Sequence, residues 1–196
     1  NMKNENISKL KGILMSVCLL LVVALIIYLF VIEKNNKLDT GNKEDKEIKY
    51  EKHTSYDGLF SIEAPETWKE VEIKKSLNEK AVLELENEDE NAYLVVVVNN
   101  KKDLNETFAQ FKTNVFKQKE AVYKKKISKY VDVVIDGKPA QYGVVYYTKD
   151  NVNTYIRAYA FETENYYGQI VIWTLASNED KVQDEFDEIV SSFKEI

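Results

Sequence analysis

The chain has 196 residues, a net charge of −6, one histidine and one cysteine. That length allows one ordinary domain plus an appendage, and the inventory excludes a disulfide framework, a multi-histidine metal site and, together with the sequence position of His53, a histidine-dependent catalytic triad. The acidic balance argues against a nucleic-acid partner, because phosphate binding needs a basic excess.

The first element is a span. From Ile13 to Ile32 no residue is charged, and twenty helical residues rise about 30 Å, the thickness of a bilayer's hydrocarbon core. The only cysteine, Cys18, lies in "LMSVCLLL". A lipid-attachment site wants a small residue before the cysteine and a polar tether after it. Val17 and the run Leu19 to Val23 supply neither. A cleavable secretory signal would have a shorter apolar core and an A-x-A-like site. The reading is an uncleaved anchor over 13–32, with lipidation at Cys18 as the alternative. Lys3, Lys9 and Lys11 precede the span, so residues 1–12 are expected on the cytoplasmic side and everything after the span outside the cell membrane. Residues 33–54, rich in Asn, Lys and acids, read as a polar tether with too little apolar surface to order itself. His53, at its end, reads as structural or solvated.

Residues 55–196 form the expected domain. "LFSIEA" alternates Phe60, Ile62 and Ala64 on one face, and "WKEVEI" and "AVLELE" follow as further strands. "AYLVVVV" is apolar on both faces, as a central strand is. A helix then begins at Asp103, with Glu106 in its first turn and Leu104, Phe108, Phe111 and Val115 along one stripe. Lysines gather in its C-terminal half, which suits the negative end of the helix dipole. "VDVVI", the turn Asp136-Gly137, and then "PAQYGVVYYT", "TYIRAYAFE" and "YYGQIVIWTL" read as a meander. A second helix closes the chain, capped at Ser177, with Val182, Phe186, Ile189 and Phe193 on its apolar stripe. Strands, helix, strands, helix gives an α+β domain in which an antiparallel sheet is sandwiched by helices.

That order, with "LFSIEAPETW" at its start and "EFDEIVSSFKEI" at its end, resembles the PsbP, Mog and DcrB-like superfamily over about 56–196. The resemblance lies in architecture and hydrophobic pattern and includes no catalytic motif. It implies a PsbP-like fold and action by binding other proteins, since members serve as an extrinsic photosystem subunit, a Ran-binding protein, an envelope protein and chaperone-like adaptors.

Two groups of residues are candidate sites. The tyrosines concentrate in the meander: Tyr142 and Tyr146 share a face of one strand, Tyr155 and Tyr159 a face of the next, and Trp173 lies on the last. Together they are expected to form an aromatic platform for a protein or sugar partner, although tyrosine also favours strands for structural reasons alone. The acidic run "ELENEDEN" offers Glu86, Glu88, Asp89 and Glu90 as oxygen ligands for calcium or manganese. It lacks the ordered spacing of a calcium loop, and a solvated turn is the plainer reading. The functional expectation is a membrane-anchored, extracytoplasmic binding or adaptor module of a bacterial envelope, engaging another envelope protein without catalysis and without a cofactor. The alternative is a ligand- or divalent-metal-sensing domain, with an envelope hydrolase as a weaker variant.

Overall fold

The computed structural model describes residues 48–72 and 75–196. The expected membrane span, its flanks and most of the tether lie outside the described residues, and among the described residues no helix is long and apolar enough to cross a membrane.

The compact unit starts at Ile48. The first strand, β1 (Tyr50–Thr54), lies in the segment read as tether and pairs antiparallel with β2 (Phe60–Pro65). The domain therefore begins earlier than residue 55. Its polar composition hid the strand, because an edge strand needs only one buried side chain to be held by a ladder, and here that side chain is His53.

β3 (Lys69–Glu70) is only two residues long, and β4 (Leu83–Asn87) and β5 (Ala92–Asn100) follow. Helix α1 (Phe108–Tyr123) starts later than its apolar spacing suggests. Thr107 caps it: its hydroxyl accepts from the Gln110 amide at 3.3 Å, and Gln110 Oε1 accepts from the Thr107 amide at 2.8 Å. Asp103 instead ends a short 3-10 turn, and Leu104 packs beneath the helix without belonging to it.

Next come β6 (Lys129–Ile135), β7 (Lys138–Lys149), β8 (Val152–Glu162) and β9 (Tyr166–Leu175). Asp136 (φ 50°) and Gly137 (φ 72°) form the expected tight turn between β6 and β7. Helix α2 (Glu179–Ser191) follows a 3-10 turn that contains Ser177, so Asn178 and not Ser177 stands at its start. Phe193 lies past its end, just before the two-residue β10 (Lys194–Glu195).

The strands form a seven-stranded sheet in the order β3-β4-β5-β9-β8-β7-β6 and a three-stranded sheet in the order β1-β2-β10, all pairs antiparallel. On one face of the large sheet α1 buries Phe111, Val115 and Phe116 against Ala160 and Tyr167. On the other, α2 and the small sheet share one core, in which Phe193 stacks on Phe60 and meets Phe161 edge-on. The result is the expected α+β sandwich with a second small sheet added.

Candidate partner-binding face

The register of the meander fixes where the candidate aromatics go. Tyr142 pairs with Tyr159 and Tyr146 with Tyr155, which places all four on one face of adjacent strands, with Val144 and Arg157 paired between them. The rings are close, 4.7 Å between centroids for Tyr142 and Tyr159 and 5.8 Å for Tyr146 and Tyr155. The four tyrosines therefore lie together on one face.

The cluster is not an open platform. It faces α2, and Tyr142, Tyr155 and Tyr159 are buried. Only Tyr146 stays at the rim, 46% exposed, donating its hydroxyl to Glu179 Oε1 at 2.8 Å. Partial burial and that carboxylate push its pKa up to about 12. Strand alternation tells which residues share a face, but not which face a helix will roof.

The side chain that organises the cluster is one the tyrosine pattern does not reveal. Arg157, the only arginine in the chain, is 1% exposed. Its Nε donates to the Tyr155 hydroxyl at 2.6 Å and its Nη1 to the Tyr159 hydroxyl at 3.3 Å and to Asp187 Oδ1 at 2.5 Å. Its guanidinium lies 4.8 Å over the Tyr142 ring. Burial works against its charge, but the hydroxyls of Tyr159 and Tyr155 outweigh that and hold it firmly protonated. Burial pushes the Tyr159 phenol well above the usual tyrosine range. The sequence signal was a lone arginine inside the apolar strand "TYIRAYAF".

Trp173 does not join these tyrosines. It pairs with Ile156 and with Tyr93, on the face toward α1, and stacks on Tyr93 at 5.4 Å. With Tyr123 and Tyr147 it lines a separate hollow of about 460 Å³ beside the β7–β8 turn.

The acidic run is likewise dispersed. Glu86 lies on β4 opposite Tyr93, whereas Glu88, Asp89 and Glu90 form one 3-10 turn between β4 and β5. Glu84, just before them, is buried and turned to the backbone, its Oε1 accepting the amides of Leu77 and Asn78 at 2.8 Å each. Among the described residues no three His, Cys, Asp or Glu side chains gather as a metal site. His53 is buried, with Nδ1 3.6 Å from Glu70 Oε1.

What remains open on the α2 side is a groove of about 390 Å³ between α2 and strand β6. Val131, Val133 and Ile135 form one wall, Tyr142 and Tyr159 the floor, and Val190 the other wall, with Asp187 and Glu188 at the rim. The buried tyrosines thus form part of the groove from below, without being an open platform themselves. Apolar walls with a few charged groups at the mouth are the usual make-up of a pocket that takes a ligand.

No family model and no curated protein matches the chain. Solved structures do. The solution structure of cyanobacterial PsbP (CyanoP) from Synechocystis superposes with a TM-score of 0.57 at 15% identity, over 81% of this chain and 99% of that one. The fold is PsbP-like. The Ran-binding protein Mog1p of Saccharomyces cerevisiae aligns with a TM-score of 0.50 at 14% identity, over 74% of this chain and 95% of that one. At such identities the likeness is one of fold, carried by sheet order and helix placement.

Proposed function

We propose that this chain is a non-catalytic protein-binding module, held at the outer face of a bacterial cell membrane by residues 13–32 and acting on another envelope protein. The observation that carries the reading is the apolar, acid-rimmed groove between β6 and α2. Against catalysis stands the state of the most chemically capable cluster: Arg157 and its tyrosines are turned inward and occupied with one another and with Asp187. That arrangement stiffens the groove's floor; it does not present a reactive group. The PsbP-like fold supports the reading, since one protein that shares it is named for binding Ran.

Crosslinking the full chain in intact membranes tests this. A discrete neighbour recovered above background is the expected result, and recovery of nothing specific overturns it. Orientation is tested separately by cysteines introduced at exposed positions of the domain, which a membrane-impermeant thiol reagent labels in whole cells if the domain is outside.

A second reading, capture of a small ligand, is favoured by the hollow lined by Tyr123, Tyr147 and Trp173. Quenching of Trp173 fluorescence by a ligand, absent in Trp173→Phe, would support it.

A further inference from the structure

Helix α1 ends before the strands beneath it do. Its last residue, Tyr123, packs on Tyr147, two positions before the end of β7. Lys124, at φ 51°, then turns the chain away with its amide on the Glu120 carbonyl. Just past that stop, on the α1 face of β7, β8 and β9, lies the hollow of about 460 Å³. A volume of that size suits a small ligand.

The walls are aromatic and held in place. Tyr123 and Tyr147 stand 5.3 Å apart at an interplanar angle of 53°, and the half-buried Trp173 is backed by Tyr93 in a stack at 23°. The rim is polar. Lys149 and Asp150 are exposed at the β7–β8 turn and Thr154 follows on β8. Among the described residues no ion pair holds either charge. Asp150 (φ 51°) and Asn151 (φ 64°) are both left-handed and make a two-residue turn between the paired Lys149 and Val152. Thr148 ties that turn to Asn153 across the ladder at 2.7 Å. The hollow is therefore shaped before anything enters it, which lowers the entropy lost on binding.

The lining discriminates among ligand classes. An apolar ligand would match the walls but bury Lys149, Asp150 and Thr154 without partners. A charged ligand meets one rim charge of its own sign. A flat heterocycle stacks best in a parallel slot, and Tyr123 and Tyr147 are tilted apart. A pyranose satisfies all three conditions. Its ring is neutral and puckered, its C–H groups pack on the negative faces of aromatic rings, and its hydroxyls both donate and accept.

We propose that the hollow bounded by Tyr123, Tyr147 and Trp173 binds a neutral sugar ring of an oligosaccharide, packed on the aromatic walls and hydrogen-bonded by Lys149, Asp150 and Thr154. This rests on the small-ligand reading above and gives that ligand a chemical class.

The test titrates the full chain, in a detergent without a sugar headgroup, with cellotriose and with chitotriose at millimolar concentration. The expected result is a saturable change in fluorescence with at least one of them, absent in Trp173→Phe, since Trp68 is wholly buried and does not report on the hollow. Lys149→Ala and Thr154→Val are each expected to weaken binding at least threefold at an unchanged melting temperature. Tyr147→Leu is expected to weaken it at least tenfold and Tyr147→Phe less than twofold, which separates a ring face from apolar bulk. Equal affinity in Tyr147→Leu and the parent chain overturns the proposal, and so does tighter binding of adenosine than of either sugar. If the apolar dye anilinonaphthalene sulfonate binds the parent chain but not Tyr147→Leu, and neither sugar displaces it, the sugar is refuted while the small-ligand reading stands. If none of these probes changes Trp173 fluorescence, both fall.

Discussion

Arg157, at the middle of β8, places Nη1 2.5 Å from Oδ1 of Asp187 on α2, joining a 1% exposed guanidinium to a carboxylate that is 57% exposed. The pair is lopsided, and its energetics follow from that. Removing Asp187 leaves Arg157 with two tyrosine hydroxyls and lets water reach the vacated acceptor position. Asp187→Ala is therefore expected to cost about 1 kcal/mol. Removing Arg157 empties a packed site and strands the hydroxyls of Tyr155 and Tyr159, so Arg157→Ala is expected to cost about 3–5 kcal/mol. Urea unfolding midpoints of the two variants check the inequality, and equal losses would show that the ion pair and not the packing dominates.

Gly168 on β9 pairs with Phe161 on β8. A Cβ at Gly168 would come 2.2 Å from the ring's Cζ, and that ring is wholly buried. Gly168→Ala is expected to destabilise the fold by about 1–3 kcal/mol through overpacking. Phe161→Leu should recover part of that loss in the double variant. Strict additivity of the two changes in thermal unfolding would argue against a direct clash.

The buried carboxylate of Glu84 holds the 76–80 segment through the amides of Leu77 and Asn78. Glu84→Ala leaves both donors without their acceptor and is expected to cost about 1–3 kcal/mol. Limited proteolysis should show faster cleavage in that segment, and unchanged cleavage would refute the role.

Two carboxyls give stability opposite dependences on pH. Burial raises the Glu185 pKa, and nearby Glu90 and Glu188 add to it, against the opposing hydrogen bond from the Trp68 indole. Its charge therefore costs stability at neutral pH, and that cost disappears as pH falls through its folded pKa. Glu195 is the reverse. Burial raises its pKa, but hydrogen bonds from Thr163 and Asn165 outweigh burial and lower it. Its contribution is present above the unfolded value and is lost as pH falls through its folded pKa. Glu185→Gln, which keeps an acceptor for Trp68, should raise the melting temperature at pH 7 by more than at pH 4. Glu195→Gln should lower it at pH 7, with little effect at the lowest pH. The same shift at both pH values would contradict the assignment.

Glu86, Glu88, Asp89 and Glu90 are spread along a strand and a turn. Calcium or manganese at millimolar concentration is expected to leave the melting temperature unchanged, since only binding to the folded state raises it. A saturable rise abolished by Glu88→Gln would reverse that expectation.

Period and punctuation in the sequence were enough for the class of fold, the β5 strand, the Asp136-Gly137 hairpin and the apolar stripe of α2, because each is a local pattern that its own neighbours enforce. The same alternation correctly put Tyr142, Tyr146, Tyr155 and Tyr159 on one face. What local pattern could not contain was the partner of each face. β1 became a strand only because β2 offered it a ladder. The tyrosines became a floor because α2 covers them, Trp173 fell on the opposite side by register, and Arg157 acquired its carboxylate from a helix thirty residues on. The groove and the exposed edge of β6 arise where α2 stops covering the sheet. That limit is set by tertiary packing, and no single segment encodes it.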